Sequence, residues 1–319
     1  MLLLLLQLRE EEHELIHAML LPGVRLVDRP GALHFFDGRR VVSFRGDSAG
    51  RNAIRQAVHP GAEPAGTGGR SGSAELRDAR DLLVRLELGS AEPQPHVPVA
   101  AAFASAAVAG RTSSQQADER LSGTAIHVWD GPDGSLRHTL EASGFATQAL
   151  NNPAQVGDLD PRRALVAVVA SDERPVHRLR AANEACLAAG VAWLPVGAYD
   201  GAVLRVGPLM IPGQTACADC LLRRLAANVA YADVHDDVVE APAAPTPPAL
   251  RSWAHSVATL LLVQWIANRD AQIPGRLFSL VPDGMTIRQA HVLRVPRCHT
   301  CTSTDFTPAA APWGVSRDH

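Results

Sequence analysis

The stretch VGPLMIPGQTACADCLLRR, residues Val206 to Arg224, decides how this chain is read. It carries a CxxC pair, Cys217 and Cys220, and a second pair, Cys298 and Cys301, closes the stretch HVLRVPRCHTC that begins at His291. Each pair puts two thiolates on one tight turn. Four thiolates satisfy a tetrahedral Zn²⁺ and leave no position for water, which marks a structural rather than a catalytic site. With 77 residues between them, the pairs are too far apart for one zinc ribbon, so the metal would staple two distant parts of one domain. His299 lies between the last two cysteines and is an alternative ligand. The fifth cysteine, Cys186, falls in an Ala-rich helical stretch and reads as a small buried apolar residue. An odd cysteine count argues against a secreted disulfide framework.

Upstream of the first pair the chain has an α/β rhythm. Thr124 to Trp129 reads as a strand, followed by the turn Asp130-Gly131-Pro132-Asp133-Gly134, a helix from Ser135 to Ser143 and a second strand within Phe145 to Leu150. Ala164 to Ala170 is a continuous apolar run, as expected of a strand covered on both faces. A helix over Pro175–Ala189, a strand over Val191–Val196 and further strands over Ala202–Ile211 follow. The alternation predicts an α/β fold with a mostly parallel sheet and helices on both faces. Arg111 to Gly123 is polar and reads as a loop. Downstream, a helix starts at Cys217, a proline-rich crossover spans Val239–Leu250, and an apolar helix covers Trp253–Ile266. Strands at Leu277–Val281 and Thr286–Val295 lead into the second pair.

The N-terminal part has a different pattern. Leu2 to Leu6 precede Arg9 and Glu10-Glu11-Glu12; the run is too short for a signal peptide and reads as a helix ending before Pro22-Gly23. Residues 23–46 form three short strands punctuated by Arg29-Pro30-Gly31 and Asp37-Gly38. Helices follow over Ser48–Val58 and Glu75–Leu88, the latter with Leu76, Ala79, Leu82, Leu83 and Leu86 on one side. Three prolines between Ser90 and Pro98 mark a linker. The expected organisation is therefore two domains, 1–92 and 93–319.

Composition narrows the chemistry. The chain has 319 residues, 46% of them apolar, and a net charge of −3. No global basic field recruits nucleic acid, no stretch reaches the roughly 18 apolar residues of a membrane span, and a cytoplasmic location is expected. All 30 basic residues are arginine. Schiff-base chemistry and a lysine clamp on ATP phosphates are thus excluded, and any phosphate contact must come from Arg, backbone N–H groups or a helix N-terminus.

The two CxxC stretches, on a nucleotide-type fold, resemble the E1-like ThiF superfamily over roughly residues 120–305. The branch they resemble partners YcaO enzymes in forming thiazoles and oxazoles on ribosomal peptides, thiopeptides included. The resemblance implies a winged-helix-like peptide clamp at the N-terminus, a RiPP recognition element, followed by an E1-like Rossmann-type domain with a structural Cys₄ zinc. It also implies a homodimer that works with a precursor leader peptide and a separate YcaO cyclodehydratase. An active E1 enzyme carries GxGxxG after its first strand, where backbone N–H groups meet nucleotide phosphates. Here Pro132 removes one donor, Asp133 brings negative charge, and Asn151-Asn152 stand where an acidic ribose ligand is expected. The expectation is a degenerate, non-adenylating domain with no cofactor but zinc. The alternatives are an active ATP-dependent ThiF-like adenylyltransferase, or a dimeric zinc protein with no peptide role.

The strand Arg39–Arg45 offers an edge on which an extended peptide could pair by β-augmentation. Candidate clamp residues are Arg39, Val41, Val42 and Phe44 on that strand, with Leu82, Leu83 and Leu86 on the second helix. The metal residues are Cys217, Cys220, Cys298 and Cys301, and no catalytic residue is assigned. Arg162-Arg163 and Arg223-Arg224 read as solvated charge.

Overall fold

The computed structural model describes residues 19–20, 24–36, 40–58, 72–86, 88–90, 101, 103–104, 112–131, 134–170, 174–229, 235–243 and 245–301. Arg39, Pro132, Asp133 and the N-terminal leucine run lie outside them. The chain divides into two compact units, Met1–Ala117 and Asp118–His319. The division falls inside a helix, whereas the sequence reading places it in the proline-rich stretch after residue 92.

In the first unit, β1 (Met19–Leu20) pairs with β5 (Gly89–Ser90). Between them β2 (Arg25–Arg29), β3 (Ala32–Phe36) and β4 (Val41–Phe44) form an antiparallel sheet in the order β2-β3-β4. Two helices follow, α1 (Ser48–Val58) and α2 (Gly72–Arg85). Alternation along the strands turns Leu33, Phe35, Val42 and Phe44 to the helices, where they join Ile54, Ala57, Ala79 and Leu83 in one core. Asp28, on the same face, accepts from both Nε and Nη2 of Arg55 on α1 at 2.5 and 2.9 Å. Arg40 donates to the Leu86 carbonyl at 2.8 Å and ties the start of β4 to the end of α2.

The second unit begins within α3 (Ser114–Ser122), where a loop was expected. Ser113 Oγ accepts from the Gln116 N–H at 3.1 Å and caps the helix. Ala117 and Leu121 are both buried, the i, i+4 pair that a polar helix needs to dock. A seven-stranded sheet follows, built from β6 (Ala125–Trp129), β7 (Thr147–Ala149), β8 (Ala164–Val169), β9 (Ala192–Tyr199), β10 (Leu204–Val206), β11 (Arg276–Val281) and β12 (Thr286–His291). Its order is β12-β11-β10-β9-β8-β6-β7.

The sheet is half parallel and half antiparallel, not mostly parallel. β7, β6, β8 and β9 are mutually parallel, and β9 through β12 alternate in direction. Connection length explains two of the three antiparallel pairs, β9–β10 and β11–β12. α4 (Ser135–Ala142) and α5 (Pro175–Ala189) provide helical crossovers between parallel strands. Asp200–Val203 and Pro282–Met285 are turns, which can only return the chain antiparallel. Asp200 makes the first turn by accepting from Ala202 and Val203 N–H groups at 3.0 and 2.8 Å. All six residues of β8 are buried, as the apolar run predicts.

The remaining helices are α6 (Ala218–Ala226), α7 (His235–Glu240) and α8 (Pro248–Asn268). Among the described residues no helix is long and apolar enough to cross a membrane. Gly207 brings the chain into the decisive stretch with φ 84°, and a Cβ there would lie 2.9 Å from the Arg276 carbonyl oxygen. Only glycine fits both conditions.

Candidate metal centre, nucleotide crevice and peptide edge

The decisive stretch delivers Cys217 to the N-cap of α6 and Cys220 to its first turn. Asn183 on α5 fixes that end by accepting from the Ala218 N–H at 2.9 Å. Helix N-terminal N–H groups favour negative charge, so thiolates are at home here. The second pair arrives after β12 on a turn closed by the Cys298 N–H and the Val295 carbonyl. The Val295 N–H donates to Cys220 Sγ at 3.3 Å, which binds the two turns together at a sulfur.

Sγ–Sγ distances are 3.8 Å for Cys217–Cys220, 3.8 Å for Cys217–Cys298 and 3.7 Å for Cys220–Cys301. All four sulfurs lie within 4.8 Å of one another, and all four residues are buried. These are not disulfide separations. A tetrahedron with sulfurs about 2.3 Å from its centre has edges of about 3.8 Å, so the cluster could hold a metal ion. Burial pushes the Cys217 thiol up. Burial acts the same way on Cys298, but N–H groups of Cys301 and Thr300 and the neighbouring thiols draw it down to about 7. Cys186 is fully buried away from the cluster, as expected.

His299 stands exposed outside the four sulfurs, its Nδ1 accepting from Arg223 at 3.0 Å. Arg224 donates to the Leu293 and Arg294 carbonyls at 3.3 and 3.1 Å. Thr300 Oγ1 donates to Asp219 Oδ2 at 2.5 Å. Arg223 and Arg224 are exposed, as solvated charge is expected to be, and they also fasten the second cysteine turn to α6.

The strand order reverses at β6, which has β7 on one side and β8 on the other. A nucleotide would enter the crevice at the carboxyl ends of these strands. Two of the N–H donors there are already used. Asp130, directly after β6, accepts from the Gly131 N–H through Oδ1 at 2.8 Å and from the Arg137 N–H, in the first turn of α4, through Oδ2 at 2.9 Å. Arg178 of α5 lies over the Trp129 ring at 4.6 Å and donates to the Asp130 carbonyl at 2.7 Å. A carboxylate of the chain thus occupies the anion-binding end of α4. Sequence reasoning placed the obstruction at Pro132 and Asp133 and missed Asp130. The available signal was an Asp between the strand and the first glycine of the turn.

At the ribose corner, Asn152 caps the short 3₁₀ helix Pro153–Asp158 by accepting from Ala154, and Gln155 returns the bond. The Asn152 side chain therefore serves the backbone, and the Asn151 N–H is held by Gln155 Oε1 at 2.8 Å.

In the first unit, β4 is an edge of its sheet, and its outer side pairs with no described strand. Val41 is 59% exposed, and Val42 and Phe44 are half-buried. Leu83 is 1% exposed and sealed in the core, out of reach of a ligand. Leu82 and Leu86 are half-buried beside it.

No protein-family model matches the sequence, and no curated protein matches it. Solved structures match its fold. A heterocyclase in complex with substrate and cofactor is 19% identical, with TM-score 0.62 over 89% of this chain and 39% of its own. The heterocyclase TruD is 19% identical, with TM-score 0.59 over 89% and 42%. The Microcin C7 biosynthetic enzyme MccB, in complex with N-formylated MccA, is 12% identical, with TM-score 0.53 over 89% and 99%; E. coli MccB with succinimide gives 0.55 at 12%. This chain spans about two-fifths of the length of the two heterocyclases. These likenesses place it in the same mixed α/β fold.

Proposed function

We propose that this chain is a non-adenylating, E1-like scaffold stapled by Zn²⁺. It binds the leader of a ribosomal precursor peptide on its N-terminal, winged-helix-like unit. It delivers the peptide to a separate YcaO cyclodehydratase, which carries ATP and closes Cys, Ser or Thr side chains into azolines. The observation that carries the reading is Asp130, whose carboxylate takes two backbone N–H groups, of Gly131 and Arg137, at the end of α4 where a nucleotide phosphate would bind. The absence of any lysine and the capping role of Asn152 support it. The open edge of β4, flanked by Leu82 and Leu86, supports peptide capture by strand addition. Cys217, Cys220, Cys298 and Cys301 would hold the zinc, which supplies a structural cross-link and leaves no site for water. Pairing of two copies into a homodimer belongs to the same proposal.

Reconstitution tests it. A YcaO partner incubated with precursor peptide and ATP should remove water from the core only when this chain is present, as read by mass spectrometry. Equal dehydration without this chain would refute the delivery role. A second reading, an ATP-dependent ThiF-like adenylyltransferase, is favoured by the match over 99% of MccB; it predicts nucleotide turnover by this chain alone.

A further inference from the structure

The N-terminal unit contains a groove of about 890 Å³ between α1 and α2, beneath the end of β4. Its floor is apolar: Phe44 from the strand, Ala53 and Ile54 from α1, Ala79 and Leu82 from α2. Gly46 lets the Phe44 ring lie flat against the chain, since a Cβ there would be 2.5 Å from the ring. The rim carries the carboxylates of Asp47, Glu75, Asp78 and Asp81 against one guanidinium, Arg85. All five rim residues are exposed.

An apolar floor with a net negative rim selects an occupant of opposite sign. The chain's own leucine-rich start is a poor candidate, because Glu10, Glu11, Glu12 and Glu14 outweigh the one Arg9 beside it and would face the acidic rim. We infer that the groove takes a peptide segment in which an apolar anchor, Leu or Phe, is flanked by Arg or Lys. This rests on the peptide-clamp reading and sharpens it. The strand edge is indifferent to sequence because it offers main-chain hydrogen bonds, and the groove supplies charge selection. Phe44 and Leu82 belong to both surfaces, so a peptide added along β4 runs toward the anchor site. Asp78 and Asp81 lie on consecutive turns of α2, spaced to meet cationic side chains on either side of an anchor.

The test uses the full chain and two fluorescent synthetic peptides with the same apolar anchor. One has flanking Arg and Lys, the other Asp and Glu at the same positions. Binding is read by anisotropy for wild type and for the double variant Asp78→Asn, Asp81→Asn, at about 0.1 M and about 0.5 M NaCl. The cationic peptide should bind at least about tenfold more tightly, and the double variant should weaken it about fivefold without changing the acidic one. High salt should narrow the gap. If the acidic peptide binds as tightly as the cationic one, or the double variant leaves the preference intact, the charge inference fails and the clamp stands. If neither synthetic peptide binds and the natural precursor leader also fails, both readings fall. Binding of the leader alone, insensitive to the double variant, overturns the groove and leaves the strand edge.

Discussion

Asp130→Ala is the perturbation that bears most directly on the nucleotide crevice. The carboxylate accepts two backbone N–H groups at 2.8 and 2.9 Å, one of them from the first turn of α4. Loss of an N-terminal cap costs about 0.5–2 kcal/mol, and a hydrogen bond to a charged group is worth somewhat more than a neutral one. Asp130 is half-buried, so water can reach the freed N–H groups and moderate the loss to about 1.5 kcal/mol. For a unit of this size that is a fall in Tm of about 3–6 °C. The same substitution vacates an anion site, so phosphate or ATP should raise the Tm of the variant while leaving wild type unchanged. Differential scanning fluorimetry with and without these anions reads both effects. A Tm within about 1 °C of wild type, or nucleotide stabilisation of wild type itself, would refute the assignment of Asp130 as an internal anion.

Metal analysis after gentle purification should give one zinc per chain. Cys298→Ser should lower zinc affinity at least about tenfold, or about 1.4 kcal/mol; unchanged zinc content and affinity would remove the cluster from the account. Gly207→Ala forces a Cβ to 2.9 Å from the Arg276 oxygen at φ 84°, and urea unfolding should show a loss of about 1–3 kcal/mol. An unperturbed midpoint would mean the stretch tolerates a shift of β11. Burial pulls His127 below its usual range, so below about pH 6.5 the unfolded chain takes up the proton first and stability declines as pH falls. His127→Val should flatten the urea midpoint between about pH 7.5 and about pH 5.5; equal slopes in both proteins would assign the acid sensitivity elsewhere.

The parts of the molecule legible in the sequence are those set by local periodicity and by residue type. The limits of α1 follow from Ser48 and Val58, β8 from its unbroken apolar run, and the metal cluster from two matched CxxC spacings. What escaped depends on distances between parts. α3 carries too few apolar residues to register as periodic, and Ala117 and Leu121 become informative only once both are buried. Two of the three antiparallel pairs were encoded in the short Asp200–Val203 and Pro282–Met285 connections, which a count of alternating elements passes over. Asp130 looks like an ordinary turn residue until its carboxylate is seen on the N–H of Arg137, seven positions later. Arg223 and Arg224 are surface charge, as read, but their fastening contacts escaped because the acceptors, His299 and the carbonyls of Leu293 and Arg294, lie some seventy positions on.

On the proposed reading, this chain captures a peptide and does not carry out nucleotide chemistry. Isothermal titration of the zinc-loaded chain with precursor leader and, separately, with ATP–Mg²⁺ tests it most directly, with pyrophosphate exchange measured on the same preparation. The account predicts submicromolar binding of the leader, no heat from ATP and no exchange above the blank. Peptide-dependent pyrophosphate exchange, or ATP binding with no leader binding, would contradict it.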